Sequence, residues 1–546
     1  MVVTPNSRIR LLKSPIELDE RNQLTFSSLT AQTNYFLSLP YLEYDNCTYQ
    51  RKDGVIRYQT DPTSLTYEDL LAYNYCMYQN TNYNNKWFYA FVTDVRYVND
   101  GMTEIKIETD VMQTWKFEIN YKPSFIEREH VNDDTRGANL LPEGLETGEY
   151  IAQYVSDFSI GNSHVVMASS VNPSNSSNAG GGTYGGIYSG VDYFIFDNFT
   201  SLYNALARLA RDGKTDMINS LFYCPDFITG YASASFDSNG IAKVGSTSNP
   251  TSIGVPLTPS TIDGYTPKNN KLFTSPYIQY VLSNNAGGTM TYNLEDFKDS
   301  GNHLGEIKVR GVCTPGASVR AYPVNYRISS DLSGNNDNNE YGLTLGKFPV
   351  CSWPADVYTN WLTQQSVNQN LRLANAVLSP IGGATSFGAD AVYSGGKISG
   401  TGAVGAIGGV ASWGVNVFGA IAENEAEMYV HSLTPVEARG NVNSGDVTYS
   451  IGKLTYTGYM MTIKSQYARI IDEFFSMFGY KVNRVKTPNL DGRTNWNYVK
   501  TVGLNITGDI PQADMQKIKD IFDSGITLWH NPSTFLDYSQ SNTIIS

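Results

Sequence analysis

With 546 residues the chain has room for about three to four domains of ~150 residues each, and its charged fraction of 17% lies below the ~25% of an average soluble protein. A net charge of −13 repels a phosphate backbone, which excludes sequence-independent DNA binding but suits a channel that DNA slides through without sticking. Five scattered cysteines (Cys47, Cys76, Cys224, Cys313 and Cys351) with no CxxC argue against a disulfide framework and for free buried thiols.

Abundant Tyr and Gly, among many Asn, Ser and Thr, favour strands, turns and polar surfaces over long helices. The expected fold class is mainly β with α+β parts. The opening MVVTPNSRIRLLKSPIELDE holds no apolar run of signal-peptide length, so the chain is expected to fold where it is made. In residues 1–130 the runs TNYFLSLPYLEY, KWFYAFVTDVRYV and TEIKIETDVMQTW mix aromatic and β-branched residues and predict strands. Asn99-Asp100-Gly101 predicts a hairpin turn, because Asp-Gly accepts positive φ cheaply. Ile105 and Ile107 alternate with Glu104, Lys106 and Glu108, the pattern of a half-buried strand. A helix is predicted over Thr66–Tyr78, with Glu68 and Asp69 in its first turn.

Residues 131–150 are turn-rich, and Asn172–Gly186 has the composition of a flexible loop. A helix is predicted over Thr200–Leu221, its apolar face made of Leu202, Leu206 and Leu209. Short strands and polar turns fill 225–350. Helical patterns then occupy Ala355–Leu378, bracketed by Pro354 and Pro380, and Phe418–Leu433. Further helices are predicted at Lys464–Phe478 and from Pro511 to Asp523, the last stopped by Gly525. Composition thus divides the chain into a β-rich segment 1–165, a β-rich segment 166–350 with one helix, a helical hairpin 351–440, and an α+β segment 441–546.

No motif for catalysis emerges, and no cofactor or metal is expected. His130, near Glu127, Glu129, Asp133 and Asp134, reads either as an acid/base or metal group or as a solvated strand end; its spacing matches no usual ligand pattern. Glu143, Glu146 and Glu149 contain a possible glycosidase pair, or simply an acid-rich turn. Gly213-Lys214-Thr215 ends like a phosphate loop, but Arg208 stands where the first glycine is required. His530, in LWHNPST, is expected to support the adjoining turn.

The stretch Ile381–Ala422 stands apart. Twelve of its residues are glycine, Asp390 and Lys397 are its only charges, and the 25 residues from Ile398 to Ala422 carry none. Three readings compete. A linker explains the glycine but not the apolar side chains. A buried core segment explains the side chains but not the glycine. A membrane-active loop explains both, with Ile381, Phe387, Val392, Ile398, Val404, Ile407, Val410, Trp413, Val415, Val417, Phe418 and Ile421 as the partitioning residues. A spanning helix needs about 20 residues, but glycine, serine and asparagine dilute this one. The stretch has no histidine, so any acid trigger falls on Asp390, Glu423, Glu425 and Glu427.

The segments DVMQTWKFEINYKPSFIEREHV (Asp110–Val131), NLLPEGLETGEY (Asn139–Tyr150) and VGLNITGDIPQADMQKIKDIFDSGITLWHNPSTFLDYSQSNTII (Val502–Ile545) resemble the tail-knob, or distal tail tube, proteins of small short-tailed phi-29-like bacteriophages. The order of parts agrees, including an apolar glycine-rich loop between two helices in the later half. The resemblance implies a virion protein of the tail tip, a homohexameric β-rich tube that meets other tail or collar proteins and conducts phage DNA without binding it specifically. It also implies that the apolar loops plug the tube and then enter host cytoplasmic membrane lipid. A receptor-binding adhesin of the tail tip, suggested by the Tyr/Asn-rich surface, is the rival function. A cell-wall hydrolase has no motif in its favour.

Overall fold

The computed structural model describes residues 6–50, 52–61, 63–80, 84–159, 162–184, 187–245, 251–298, 304–327, 339–345, 350–351 and 455–545. The chain divides into two compact units, one of residues 1–148, 264–274 and 464–546, the other of residues 149–263 and 275–463. Both are β-rich, as the composition suggests.

The first unit holds a six-stranded sheet ordered Tyr41–Cys47, Ser7–Leu12, Tyr75–Asn80, Phe88–Asn99, Met102–Thr109 and Val55–Gln59. The expected hairpin joins Phe88–Asn99 to Met102–Thr109, and Ile105 and Ile107 face the core. Its physical reason differs from the expected one, because neither Asp100 nor Gly101 has positive φ. The Asn99 side chain accepts from Gly101 N at 3.0 Å instead, and the strand bulges just before the turn.

Tertiary packing overrides local pattern at two places. TNYFLS, read as strand, belongs to the helix Leu29–Ser38. Ser28 Oγ caps it by accepting from Ala31 N at 3.1 Å. Gln32 and Phe36, one turn apart, fill its buried face, where Gln32 Nε2 donates to Gln113 O and Phe36 stacks on Tyr75. The helix expected over Thr66–Tyr78 covers only Tyr67–Leu70, closed by a capping box between Thr66 and Asp69. Tyr75–Asn80 is a strand, and Tyr75, Cys76, Met77 and Tyr78 are all buried. A strand covered on both faces shows no alternation, and period alone does not separate it from a helix.

The second sheet of this unit brings the two chain ends together. Its order is Asn22–Leu24, Ile526–Trp529, Trp496–Val502, Ser124–Glu129 and Tyr480–Lys486. The helices Ser465–Phe478 and Gln512–Ser524 fall where expected. Ile471 and Phe475 are buried in the first, Ile518 and Phe522 in the second, and Gly525 at φ 95° ends the latter.

In the other unit, Phe199–Arg211 is helical and buries Leu202, Leu206 and Leu209. It ends well before Leu221, because Gly213 turns the chain at φ 62° and Ile218–Pro225 becomes a strand. Asn172 begins a tight turn rather than a loose loop, with Ser176 N donating to Asn172 O at 2.8 Å.

Residues 264–274 are held to the first unit by buried carboxylates. Asp472, 1% exposed, accepts from Tyr265 OH and Lys268 N at 2.7 Å each, from Asn269 N at 3.0 Å, and from Asn269 Nδ2 at 2.8 Å. Glu143, its side chain 1% exposed, pairs with Lys271 and with Arg128 and accepts from Lys481 N at 3.0 Å. Asp134 accepts from Asn270 N at 3.1 Å and from Tyr480 OH. Asp472→Asn keeps the shape but turns an amide toward these donors. The expected loss is about 3 kcal/mol, read as a lower urea midpoint at unchanged slope; a loss below about 0.5 kcal/mol would show that the carboxylate is not what holds the segment.

Candidate functional site

The apolar residues Ile381, Phe387, Val392, Ile398, Val404, Ile407, Val410, Trp413, Val415, Val417, Phe418 and Ile421, and the acids Asp390, Glu423, Glu425 and Glu427, lie outside the described residues, as do the two helices expected around them. What surrounds that segment is described. The strand before it, Val350–Cys351, pairs with Ile218–Pro225, and the strand after it is Thr455–Ile463. Both belong to the unit of residues 149–263 and 275–463.

Thr455–Ile463 is an inner strand, flanked by Tyr150–Ser159 on one side and Ile278–Ser283 on the other. Its first three residues are fixed by side chains. Asn285 Nδ2 donates to Thr455 O at 2.9 Å and reaches Thr457 Oγ1 at 3.0 Å, and Thr457 Oγ1 donates to Asp157 Oδ1 at 2.6 Å. Tyr456, wholly buried, donates from its hydroxyl to Leu343 O at 3.1 Å. Gly458 is required by a close approach, since a Cβ there would overlap the Tyr280 hydroxyl. The chain therefore re-enters this unit at a rigid place.

The candidate chemistries resolve into structural roles. His130 is not a solvated strand end: it is 2% exposed, its Nδ1 accepts from Tyr498 N at 2.8 Å, and its Nε2 donates to Ser476 O at 3.1 Å. Both ring nitrogens are thus committed to backbone groups. Burial first, and then the Arg493 charge, push its pKa down to about 3. Glu143 is spent on Lys271 and Arg128 and does not present a free carboxylate. Lys214 follows the C-terminal end of a helix, and its Nζ donates to Ser176 O at 2.6 Å. His530 bonds Asn497 Oδ1 at 3.0 Å, while the adjoining turn is held by Asn531, whose Oδ1 accepts from Ser533 N at 3.1 Å. Cys76, Cys224 and Cys313 are free and buried, and Cys47 is free and half-buried. Among the described residues no group of His, Cys, Asp and Glu is placed to hold a metal, and no helix is long and apolar enough to cross a membrane.

Comparison with known proteins gives a consistent set of likenesses. The family profile of the C-terminal domain of Bacillus phage phi29 tail knob protein gp9 matches residues 243–543. That of the caudoviral major tail protein N-terminus matches residues 5–120. The chain is 28% identical to the tail knob protein gp9 of Bacillus phage phi29, covering 98% of both, and 29% identical to that of Bacillus phage PZA, covering 96% of both. Its structure is similar to that of the bacteriophage C1 tail knob protein gp12, with a TM-score of 0.65 and 17% identity over 99% of this chain and 100% of that one. At that identity the structural likeness speaks for the fold alone.

Folded His130 stays neutral down to about pH 3, whereas the unfolded chain takes up its proton near pH 6.5. Its contribution to stability is therefore complete above about pH 6.5 and is lost as pH falls toward 3, at ~1.4 kcal/mol per pH unit. In protein carrying ¹³C-labelled histidine, the His130 resonance is expected not to shift between pH 7 and pH 5. A midpoint near 6.5 would contradict the buried, doubly bonded imidazole.

Proposed function

The chain belongs to the family of the phi29 tail knob protein gp9, a structural component of a phage tail and not an enzyme, and from that premise we propose that it builds the distal end of a short tail and delivers DNA through the host membrane. Six copies form a tube that docks on other tail or collar proteins. Apolar loops at Ile381–Ala422 plug the channel until delivery and then insert into host cytoplasmic membrane lipid.

The observation that carries the membrane step is the uncharged, glycine-rich run Ile398–Ala422 in an otherwise acidic chain. A charged side chain at the bilayer centre costs about 2.5–3.5 kcal/mol even on insertion-based scales. Twenty-five residues without one avoid that cost altogether. Trp413, Val415, Val417, Phe418 and Ile421 supply burial worth ~1.5–3 kcal/mol for a side chain of the Val/Ile/Phe class. The glycines keep the run from being a permanent spanning helix, so it stays soluble while neighbours cover it. The net charge of −13 fits a conduit through which DNA passes without specific contact. A tail-tip adhesin is the second reading, favoured by exposed rings such as Tyr188, 72% exposed, and Tyr97, 56% exposed.

Deleting Ile381–Ala422 separates the two. The tip reading expects particles that assemble and adsorb but fail to deliver DNA; lost adsorption, or normal delivery, would overturn it. The acid trigger has its own test. Converting Asp390, Glu423, Glu425 and Glu427 to amides is expected to flatten the pH dependence of leakage from liposomes, and an unchanged profile would remove these carboxylates from the mechanism.

A further inference from the structure

The unit of residues 1–148, 264–274 and 464–546 contains a cavity of about 630 Å³ that no part of the delivery mechanism uses. Much of its wall is apolar, with Leu24, Met112, Leu490 and Leu528 among the lining side chains. Its charged lining is mostly cationic: Lys116 and Arg493, against the single carboxylate of Asp491 among the described residues. That balance opposes the acidic character of the chain as a whole.

Neither cation makes an ion pair among the described residues, although the charge of Asp491 reaches Lys116 and that of Asp134 reaches Arg493. Lys116 Nζ donates to Phe26 O at 3.3 Å and makes no ion pair among the described residues. Arg493 is 8% exposed, and its guanidinium gives Nη2 to Val131 O at 2.9 Å and Nη1 to Asn542 O at 3.3 Å. Its Nε is buried with no hydrogen-bond partner among the described residues. Gln23, fully buried at the same cavity, leaves its Nε2 in the same condition. Burial pushes the Lys116 pKa down to about 7, with Asp491 only partly opposing it. His530 beside them is pushed down to about 4, first by burial and then by the Lys116 charge. The N-terminal turn of the helix Leu29–Ser38 contributes Ala31 to the wall, and with it the positive end of a helix dipole. A concave, largely apolar site of this size with a few convergent polar groups suits an organic ligand, and the two cations and the helix end favour an anion against the charges of Asp491 and Asp134.

We propose that this cavity binds an amphiphilic carboxylate, its head group on Lys116 and Arg493 and its apolar body along Leu24, Met112, Leu490 and Leu528. A bare inorganic anion would satisfy the cations and leave the apolar wall uncovered. A neutral amphiphile would cover the wall and leave the cations unpaired. The ligand has to do both. This site is independent of the membrane step, so its test bears on neither the loop nor the tube.

Calorimetric titration of the full chain with sodium octanoate decides it. One octanoate per chain is expected, with octanol, sodium acetate and inorganic phosphate each at least about tenfold weaker. Lys116→Met is expected to weaken octanoate at least about tenfold while leaving octanol unchanged. Octanol or phosphate binding as tightly as octanoate would overturn the proposal, as would undiminished octanoate binding by Lys116→Met, or no binding by the unsubstituted chain at about 10 mM octanoate. Should Lys116→Met fail to fold, Lys116→Gln in the same titration serves with the same two outcomes.

Discussion

The buried carboxylates Asp472 and Glu143 are the constraint on which the rest depends. The chain passes between its two units at residues 148/149, 263/264, 274/275 and 463/464. A segment as short as 264–274 cannot bury enough apolar surface to hold its place by hydrophobic contact alone. It is held instead by charge-assisted bonds, four to Asp472 and an ion pair from Lys271 to Glu143. Lys271 is 5% exposed, so neither partner can be removed without leaving a buried charge unpaired. Such a pairing adds little net stability over an apolar substitute, but it accepts one register and rejects others. For a chain whose topology interleaves two units, that selectivity matters more than the energy.

The same division of labour extends to the segment between Cys351 and Thr455. Its flanking strands are paired in sheets, Thr455 and Thr457 are bonded to Asn285, Thr457 also to Asp157, and Tyr456 to Leu343 O. Under the proposed mechanism this rigidity is what lets the apolar loop be stored and released without unfolding the body. A frame that depended on the loop for its core would lose stability at the moment of delivery. Among the described residues, the core of this unit gathers Tyr280, Tyr292, Tyr326 and Tyr456 with Ile307 and Val309.

Much of the fold was legible in the residues. The alternation Ile105/Ile107, the leucine spacing 202/206/209 and the Pro511…Gly525 pair each led to the observed element, because in each case local pattern and burial agree. The failures are physical. TNYFLS has the composition of a strand, but the stacking of Phe36 on Tyr75 and the reach of Gln32 to Gln113 are long-range terms that no local window contains. Tyr75–Tyr78 is buried on both faces and so carries no period to read. The pairing of Asn22–Leu24 with Ile526–Trp529 joins residues some five hundred apart and leaves no local trace. His130 reads as polar and exposed among acids, yet those acids have their own partners: Asp134 binds Tyr480, and Glu129 binds Lys486. The loop residues were legible by composition only, since glycine content and missing charge reveal a chemical character but not a position.

The cavity near Lys116 had no signal in the sequence at all, and the reason is instructive. Its walls come from residues 23–31, 112–121, 490–494, 528–530 and 545, so only the sheet that joins the chain ends brings Lys116 into one cavity with Arg493 and His530. In a chain of net charge −13 there is no shortage of acids to pair with these cations. Asp472, Glu143 and Asp514 each find buried donors elsewhere in the same unit. Leaving Lys116 and the Arg493 Nε without a hydrogen-bonded carboxylate among the described residues holds a half-buried lysine at a depressed pKa, a state that costs ~1.4 kcal/mol per pKa unit. A fold that satisfies its other buried charges this thoroughly, and leaves these two open beside an apolar hollow, is arranged to receive the missing anion from outside the unit.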